Sequence, residues 1–377
     1  MAAPSCGHAP PVPDFSLGVE EEFLLVDAET GELRPHVDAV LPEAREALGE
    51  EVQPELQRSM IEVGTPVCTE LGEVRRELVR LRREVAAAAE ANGCRIAALA
   101  THPAARWQEQ EITGKARYER MAAAYRRLAW DQLICGCHVH VGIADRELAV
   151  AALNRVRPWL APLLALSANS PYWESVDTGY SSYRTEVWAR WPTAGPPGEF
   201  TSRADYDALL EALLASGTIP DTGMVYFDVR PSQRYETLEV RVADVGLTVD
   251  DAVLLGGLTR ALVRTAAAAA QEERPFPRWR PEVVRGAHWR AARWGLTAEL
   301  VSPATGRPAP AGEVVDALVD HVTPALETTG DLEEVTALVD QVRARGTGAD
   351  LQRAVFERRG SFADVLAMAV EATVPSA

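Results

Sequence analysis

The sequence predicts an α+β protein, and three observations carry that prediction. Strand-like runs cluster before residue 245. From Thr248 to the end only helical patterns appear. The chain has 377 residues, 47% hydrophobic and 25% charged, which is an ordinary globular composition and enough length to bury a large core. No linker sets the helical part, about 248–377, apart from the rest. Residues 15–377 therefore read as one domain, and residues 1–14 as a loose leader.

The elements follow in order. Gly18–Val26 (GVEEEFLLV) predicts a strand, with a turn over Asp27–Gly31, and Ser59–Val63 a second, shorter strand. Leu71–Asn92 predicts a helix, because Leu71, Val74, Leu78, Leu81 and Val85 fall on one stripe and Gly93 stands where a helix stops. Arg95–Thr101 reads as an apolar strand, Arg117–Trp130 as a helix, and Cys137–Gly142 (CHVHVG) as a strand of strict period two. Asp145 caps a helix reaching about Ser167, with a kink or break expected at Pro158 and Pro162. The stretch 168–200 is rich in Pro, Gly, Ser, Trp and Tyr and too long for a simple connector, so a functional loop is expected there. Ala208–Ser216 is a short helix, and Met224–Arg230 and Thr237–Val242 are strands. Thr248 with Asp251 resembles a capping box for a helix to about Glu272. Helices over 312–326, 331–344, 348–358 and 361–373 complete the chain.

Bulk properties exclude several function classes. The net charge of −17 argues against nucleic acid as a partner, since duplex binders neutralise phosphates with a basic face. No run of eighteen apolar residues is found, so no membrane span is expected. Met1 to Phe15 have neither the basic nor the apolar region of a secretion signal. The five cysteines (Cys6, Cys68, Cys94, Cys135 and Cys137) are odd in number and irregularly spaced, which suits free thiols in a reducing cytoplasm. Of 38 basic residues only Lys115 is lysine, so any phosphate clamp must be mostly arginine, whose planar fork binds oxygens two at a time.

The chemistry lies on strand faces. Period two puts His138 and His140 on one side of CHVHVG, with Cys137, Val139 and Val141 on the other. In TLEVRV, Glu239 and Arg241 oppose Leu238, Val240 and Val242; in GVEEEFLLV, Glu20 and Glu22 share a face; and Glu62 sits between Ile61 and Val63. An amphipathic sheet with one wet face accounts for the alternation. Such faces usually carry Thr, Ser, Lys and Arg, whereas here they carry Glu and His almost alone. Carboxylates converging without a cation would repel one another and raise their own pKa values, and a divalent metal removes that cost. Glutamate oxygens suit Mg²⁺ or Mn²⁺. An H-x-H strand can also hold zinc, as in metallohydrolases. Cys135 and Cys137 read as buried thiols in preference to soft-metal ligands.

The loop at 169–193 (NSPYWESVDTGYSSYRTEVWARWPT) offers Arg184 and Arg190 among Trp173, Tyr180, Tyr183, Trp188 and Trp191. It reads either as a packed aromatic lid or as a site wall whose arginines face phosphate or carboxylate, joined by Arg230 and Arg241. No P-loop or Rossmann glycine motif is present, so any nucleotide is held without one.

Taken together and in order, GVEEEFLLVD (18–27), SMIEVGTPVC (59–68), CGCHVHVG (135–142), LSANSPYWESVDTGYSSYRTEVWARWPTAG (166–195) and DVRPSQRYETLEVRVAD (228–244) resemble the glutamate–cysteine ligase type 2 family and its YbdK-type carboxylate–amine ligases. Weaker matches are HWRAARWGL (288–296) and GTGADLQRA (346–354), so the resemblance spans nearly the whole chain.

The resemblance implies a glutamine-synthetase-like fold, a curved and mostly antiparallel sheet forming a funnel with helices behind it. It implies ATP and Mg²⁺ in that funnel. A carboxylate, the γ-carboxylate of glutamate in the parent enzymes, would be activated as an acyl phosphate and captured by cysteine or another amine. Glu20, Glu22, Glu62, His138 and Glu239 match metal ligands of the family; Arg184 and Arg241 match groups around substrate and phosphate, and Arg230 is expected beside them as a cofactor-binding arginine. His138, Arg184 and Arg241 are also the expected catalytic groups. Glu21, Glu55 and His140 are secondary candidates, and Glu109 or Glu111 is the expected further glutamate. The partners expected are a small carboxylic acid and an amine, with a homodimer as the assembly entertained. Two other readings stand beside this one: a zinc metallohydrolase using His138 and His140, and an inactive nucleotide-binding homologue.

Overall fold

The computed structural model describes residues 14–375. Cys6, and all of the expected leader except Asp14, lie outside that range. Seven strands form the central sheet: β1 (Leu17–Asp27), β2 (Val52–Pro54), β3 (Met60–Gly64), β4 (Cys94–Ala97), β5 (Gly136–Gly142), and, after a small hairpin of β6 (Tyr172–Trp173) and β7 (Val176–Asp177), β8 (Val229–Pro231) and β9 (Thr237–Asp244). Their order is β2-β3-β1-β5-β9-β8, with β4 pairing the far end of β1, and every pairing is antiparallel. The α+β, mostly antiparallel class expected from the sequence is the one observed.

The register decides what meets on the polar face. Glu22 lies opposite Glu62, Glu20 opposite His138, and His140 opposite Glu239, which in turn faces Arg230. A register shift between Cys137 and Val139 sets two residues of β9, Arg241 and Val242, against His138 alone, which re-aims the side chains there.

The apolar face, with Val19, Val139 and Leu238, packs on helices in one large core. At its centre is Val249–Gln271, opened by the anticipated capping box of Thr248 and Asp251. This helix is long and apolar enough to cross a membrane, but most of that length is buried inside the protein. Gly257 lets it approach closely, since a Cβ there would meet Val335 Cγ2 at 2.7 Å and Leu71 Cδ2 at 3.1 Å. The kink expected near Pro158 is a 3-10 turn over Arg157–Trp159 that separates helices Arg146–Val156 and Leu160–Ser167.

Other elements differ from expectation. The helix expected over Arg117–Trp130 is broken at Arg126, whose φ of 53° ends Ala116–Tyr125 and starts Arg127–Trp130. Thr222–Met224 is a 3-10 turn, so the strand expected from Met224 shrinks to Val229–Pro231. Helices Val37–Leu48 and Pro281–Trp294 and the hairpin pairing Glu299–Val301 with Pro308–Pro310 were not anticipated. Both carry a helical stripe of buried residues, Val37, Val40, Ala44 and Leu48 in the first and Val284, Ala287, His288 and Ala291 in the second, so their periodicity was present and went unread.

Candidate active site

Alternation along β1 puts Glu20 and Glu22 on the polar face and Glu21 behind it. Side chains from β3, β5 and β9, with Glu55 just after β2, close on the same patch. Three groups of donors result, each with ligand atoms within 4.8 Å of one another: Glu20, His140 and Glu239; Glu20, Glu62 and His138; and Glu22, Glu55 and Glu62. Residues from four well-separated stretches of sequence thus share one place.

The two halves of this patch differ electrostatically. On one side, Glu239 is gripped by Arg230, with Nε donating to Oε2 at 2.9 Å and Nη2 to Oε1 at 3.2 Å, and also by Arg241 Nη1. Burial alone would raise the Glu239 carboxyl, but Arg241 and Arg230 hold it far below the usual range. Glu20 lies 3.3 Å from His138 Nδ1 and 3.4 Å from His140 Nε2. Against the opposing effect of burial, these histidines keep Glu20 well below its ordinary value. His140 rises, because Glu20 and Glu239 outweigh its burial, whereas burial and then the Arg241 charge push His138 down to about 4.

On the other side, Glu22, Glu55 and Glu62 face one another. Burial, then the Glu55 charge, pushes Glu22 up to about 8, although the Gly136 amide donates to Glu22 Oε2 at 2.6 Å. Burial raises Glu55 as well, and Glu62 rises well above normal through burial and then the charges of Glu20, Glu55 and Glu22. These three carboxylates form no ion pair among the described residues. Hard oxygen donors that repel one another are what a small divalent cation relieves, so the residues present fit Mg²⁺ or Mn²⁺.

Two cavities open onto the patch and share Glu20, Glu62 and Tyr118. The smaller, about 220 Å³, also meets His138, Arg230, Arg241 and the aromatic wall of Trp188, Trp191 and Tyr226. The larger, about 630 Å³, runs past His140 toward the turn between β8 and β9.

The structure brings together Glu20, Glu22, Glu62, His138, Glu239, Arg230 and Arg241 from the expected set. It relocates the others. Arg184 is buried and lines neither cavity; its guanidinium lies beside the carbonyls of Arg241 (3.4 Å) and Val242 (3.5 Å). A Cβ on Gly136 would fall 2.3 Å from Arg184 Nη2, so glycine is what lets the guanidinium lie there. From there its charge opposes the rise of Glu22. Arg190 pairs with Asp131 at 2.8 Å. Glu109 is exposed, and Glu111 is exposed and paired with Arg58, so neither joins the cluster; the further glutamate is Glu55. A period-two reading of VQPEL would have put Gln53 and Glu55 on one face, but a three-residue strand is too short to announce itself. Glu21 is not a site residue either: it lies on the helical side, paired with Arg82. The aromatic loop divides. Trp188 and Trp191 line the smaller cavity, while Trp173, Tyr180 and Tyr183 pack on each other.

Known structures share this architecture. The glutamate–cysteine ligase of Francisella tularensis, solved in complex with AMP, aligns with a TM-score of 0.71 over 98% of this chain and 91% of its own, at 13% identity. The bifunctional glutathione synthetase of Pasteurella multocida aligns with a TM-score of 0.68 over 95% of this chain and 52% of its own, at 17% identity. The fold is thus the one seen in these two structures. Among sequences, a relative from Frankia alni provisionally named glutamate–cysteine ligase 2-2 is 47% identical over 96% of this chain and 98% of its own. One from Rhodopirellula baltica, provisionally named glutamate–cysteine ligase 2, is 42% identical over 96% and 98%. The family model of glutamate-cysteine ligase family 2 matches residues 16–369. The chain belongs to that family, and it is an enzyme that joins carbon to nitrogen.

Proposed function

We propose that the chain is an ATP-dependent carboxylate–amine ligase working through an acyl phosphate, with glutamate as the acid and cysteine or another amine as the acceptor. The observation that carries this reading is the corner of Glu22, Glu55 and Glu62, three half-buried carboxylates crowded together beside a half of the site that is neutralised by arginine.

Glu20, Glu22, Glu55, Glu62, Glu239 and the two histidines would hold Mg²⁺. Bound there, the ion would supply charge neutralisation along the triphosphate. Arg230 and Arg241 line the smaller cavity and are oriented by Glu239, so their remaining N–H groups are preorganised for an oxyanion. A carboxylate oxygen of the acid attacks the γ-phosphorus, the bond to the bridging oxygen breaks, and ADP leaves. The amine nitrogen then attacks the acyl carbon, the carbon–oxygen bond to phosphate breaks, and the amine proton passes to solvent. Trp188, Trp191 and Tyr226 wall the smaller cavity and would exclude water from the acyl phosphate. The donor set does not favour zinc: among the described residues no group brings the two histidines together, and each stands with carboxylates.

The test is ADP release across mixtures of acids and amines. ADP and phosphate should appear only when Mg²⁺, acid and amine are all present. Glu20→Gln and Glu239→Gln should each lower turnover at least ~100-fold, the loss typical of removing one charge-stabilising group, with the folded state retained. Near-full activity in both variants, or product formed without ATP, would overturn the reading.

A further inference from the structure

Helix Pro281–Trp294 gives no residue to either cavity, yet it is fastened to two sides of the smaller one. On the first side stands Arg241. Its backbone N–H donates at 2.8 Å to the carbonyl of Asp228, the residue before β8. The Asp228 amide donates to the Gly195 carbonyl at 2.9 Å, and the Asp228 carboxylate accepts from His288 Nδ1 of the helix at 3.0 Å. On the second side stands Trp188, at the end of the short helix Tyr183–Trp188. The carbonyl of Ala292, one turn on from His288, accepts from the amides of Ser181 and Ser182 at 2.8 and 2.9 Å. Trp289 Nε1 donates to the Tyr180 hydroxyl at 3.1 Å, and Arg293 Nη1 to the Gly179 carbonyl. One helix thus runs from the backbone of an arginine to the root of the aromatic wall.

The contact between His288 and Asp228 is more than packing. His288 is 3% exposed and Asp228 5%. Among the described residues the Asp228 carboxylate meets no other donor, and His288 Nε2 is buried without a partner. An unpaired buried nitrogen costs free energy, and leucine would fill the same space without that cost. What only the imidazole brings is a donor aimed at Asp228.

We propose that His288 is a positioning residue for Arg241. Held by His288, Asp228 keeps its carbonyl under the Arg241 amide and so fixes the point on β9 from which the Arg241 side chain reaches Glu239. The same helix sets Trp188 against that guanidinium, whose Cζ lies 5.9 Å from the Trp188 ring centre. In the ligase reading, on which this role rests, Arg241 meets the oxyanion of the transfer; the support of Arg241 itself needs no ligand.

Variants of the full-length protein separate the donor from the space it fills. His288→Asn places an amide N–H where Nδ1 stands, His288→Leu fills the site without a donor, and His288→Gln carries its amide one bond too far. Turnover is read as ADP released from ATP and Mg²⁺ with saturating glutamate and cysteine, below the unfolding midpoint of each variant. Arg241 is read in the ligand-free protein, from the rate at which phenylglyoxal modifies it, by peptide mass spectrometry. His288→Leu should lower kcat about tenfold, the scale of a small misplacement of one group, while KM for ATP moves less than about twofold and Arg241 reacts at least ~threefold faster. His288→Asn should recover most of both losses, and His288→Gln should behave like His288→Leu and stand in for it if that variant does not fold. Equal kcat and equal Arg241 reactivity in His288→Asn and His288→Leu would overturn the role. Unfolding of both His288→Leu and His288→Gln would make His288 a structural residue only, and would overturn it too. No ADP with any acid and amine, beside an Arg241 rate that still follows the donor, would overturn the ligase reading and leave the support of Arg241 standing.

Discussion

Glu20, Glu21 and Glu22 stand side by side on β1, and the pleat sends the middle one to the opposite side from its neighbours. Glu21 is fully buried against Arg82, which donates Nε to Oε2 at 2.9 Å and Nη2 to Oε1 at 2.5 Å. The rest of that guanidinium caps backbone carbonyls of Gly246, Leu247 and Thr373, tying β1 and Leu71–Ala91 to the loop after β9 and to the last helix. Glu20 and Glu22 face the cavities, where Glu22 has no arginine of its own. One residue type therefore does two jobs, cross-linking on one face and presenting unbalanced charge on the other. The difference teaches that the partners the fold supplies, more than residue type, separate the structural Glu21 from Glu22 in the ligand patch.

Breaking the satisfied side should give the largest change. Glu21→Gln leaves the Arg82 guanidinium buried without its counter-charge, and such losses cost about 3–5 kcal/mol. The expected outcome is a large fall in the midpoint of urea unfolding, with Mg²⁺ affinity unchanged in whatever fraction stays folded. A variant that unfolds normally but loses the metal would put Glu21 in the site and dissolve the contrast.

The histidines offer the same comparison at smaller scale. His138 and His102 are both buried and both pushed down to about 4, but His138 faces the ligand patch and His102 does not. His102 Nδ1 accepts from the amides of Ala104 and Ala105 at 3.2 and 2.9 Å, which leaves Nε2 to donate to the Gly31 carbonyl at 2.9 Å. Both nitrogens are committed in the neutral ring. The folded pKa lies below the unfolded value of 6.5, so the unfolded chain binds more protons between the two. Stability from His102 is therefore complete above pH 6.5 and falls by roughly 3 kcal/mol as pH drops toward 4. Denaturation midpoints at pH 7 and 4.5 should separate more in the wild type than in His102→Gln; equal separations would show that the ring is not held neutral.

How much of this was legible depends on whether a signal is local. The faces of β1, β5 and β9 were readable because period two needs only a few residues, and so Glu20, Glu22, His138, Glu239 and Arg241 could be placed in advance. Glu55 stood only among the secondary candidates of the resemblance, because β2 is three residues long and carries Pro54. Arg184 was named through the resemblance, but its position was not legible, since nothing in its own neighbourhood announces that Gly136, far off in sequence, leaves room for its guanidinium. The partition of Glu21 from its neighbours followed from alternation, whereas its partner Arg82, sixty-one residues along the chain, is a property of packing alone.

The unsatisfied side gives the smallest and most specific effect. Glu62 is raised by burial and then by three neighbouring charges, so without metal the folded protein holds protons there that the unfolded chain, near 4.5, has released. A raised folded pKa contributes stability that is full below about pH 4.5 and lost as pH rises, for Glu22 through about 8. The metal-free protein should therefore lose stability between pH 5 and 8, and Mg²⁺ should restore it by neutralising the corner. Glu62→Gln removes one of the repelling charges at its source. At pH 8 without metal it should be more stable than the wild type by about 1 kcal/mol, the scale of one close like-charge contact near solvent. Its stability should vary less with pH and respond less to Mg²⁺. Thermal unfolding at pH 5 and 8, with EDTA and with Mg²⁺, reads all three. If Glu62→Gln is instead the less stable protein at pH 8 in EDTA, the three carboxylates do not repel, and the corner is held together by hydrogen bonds among them, as the Glu21 side is held by Arg82.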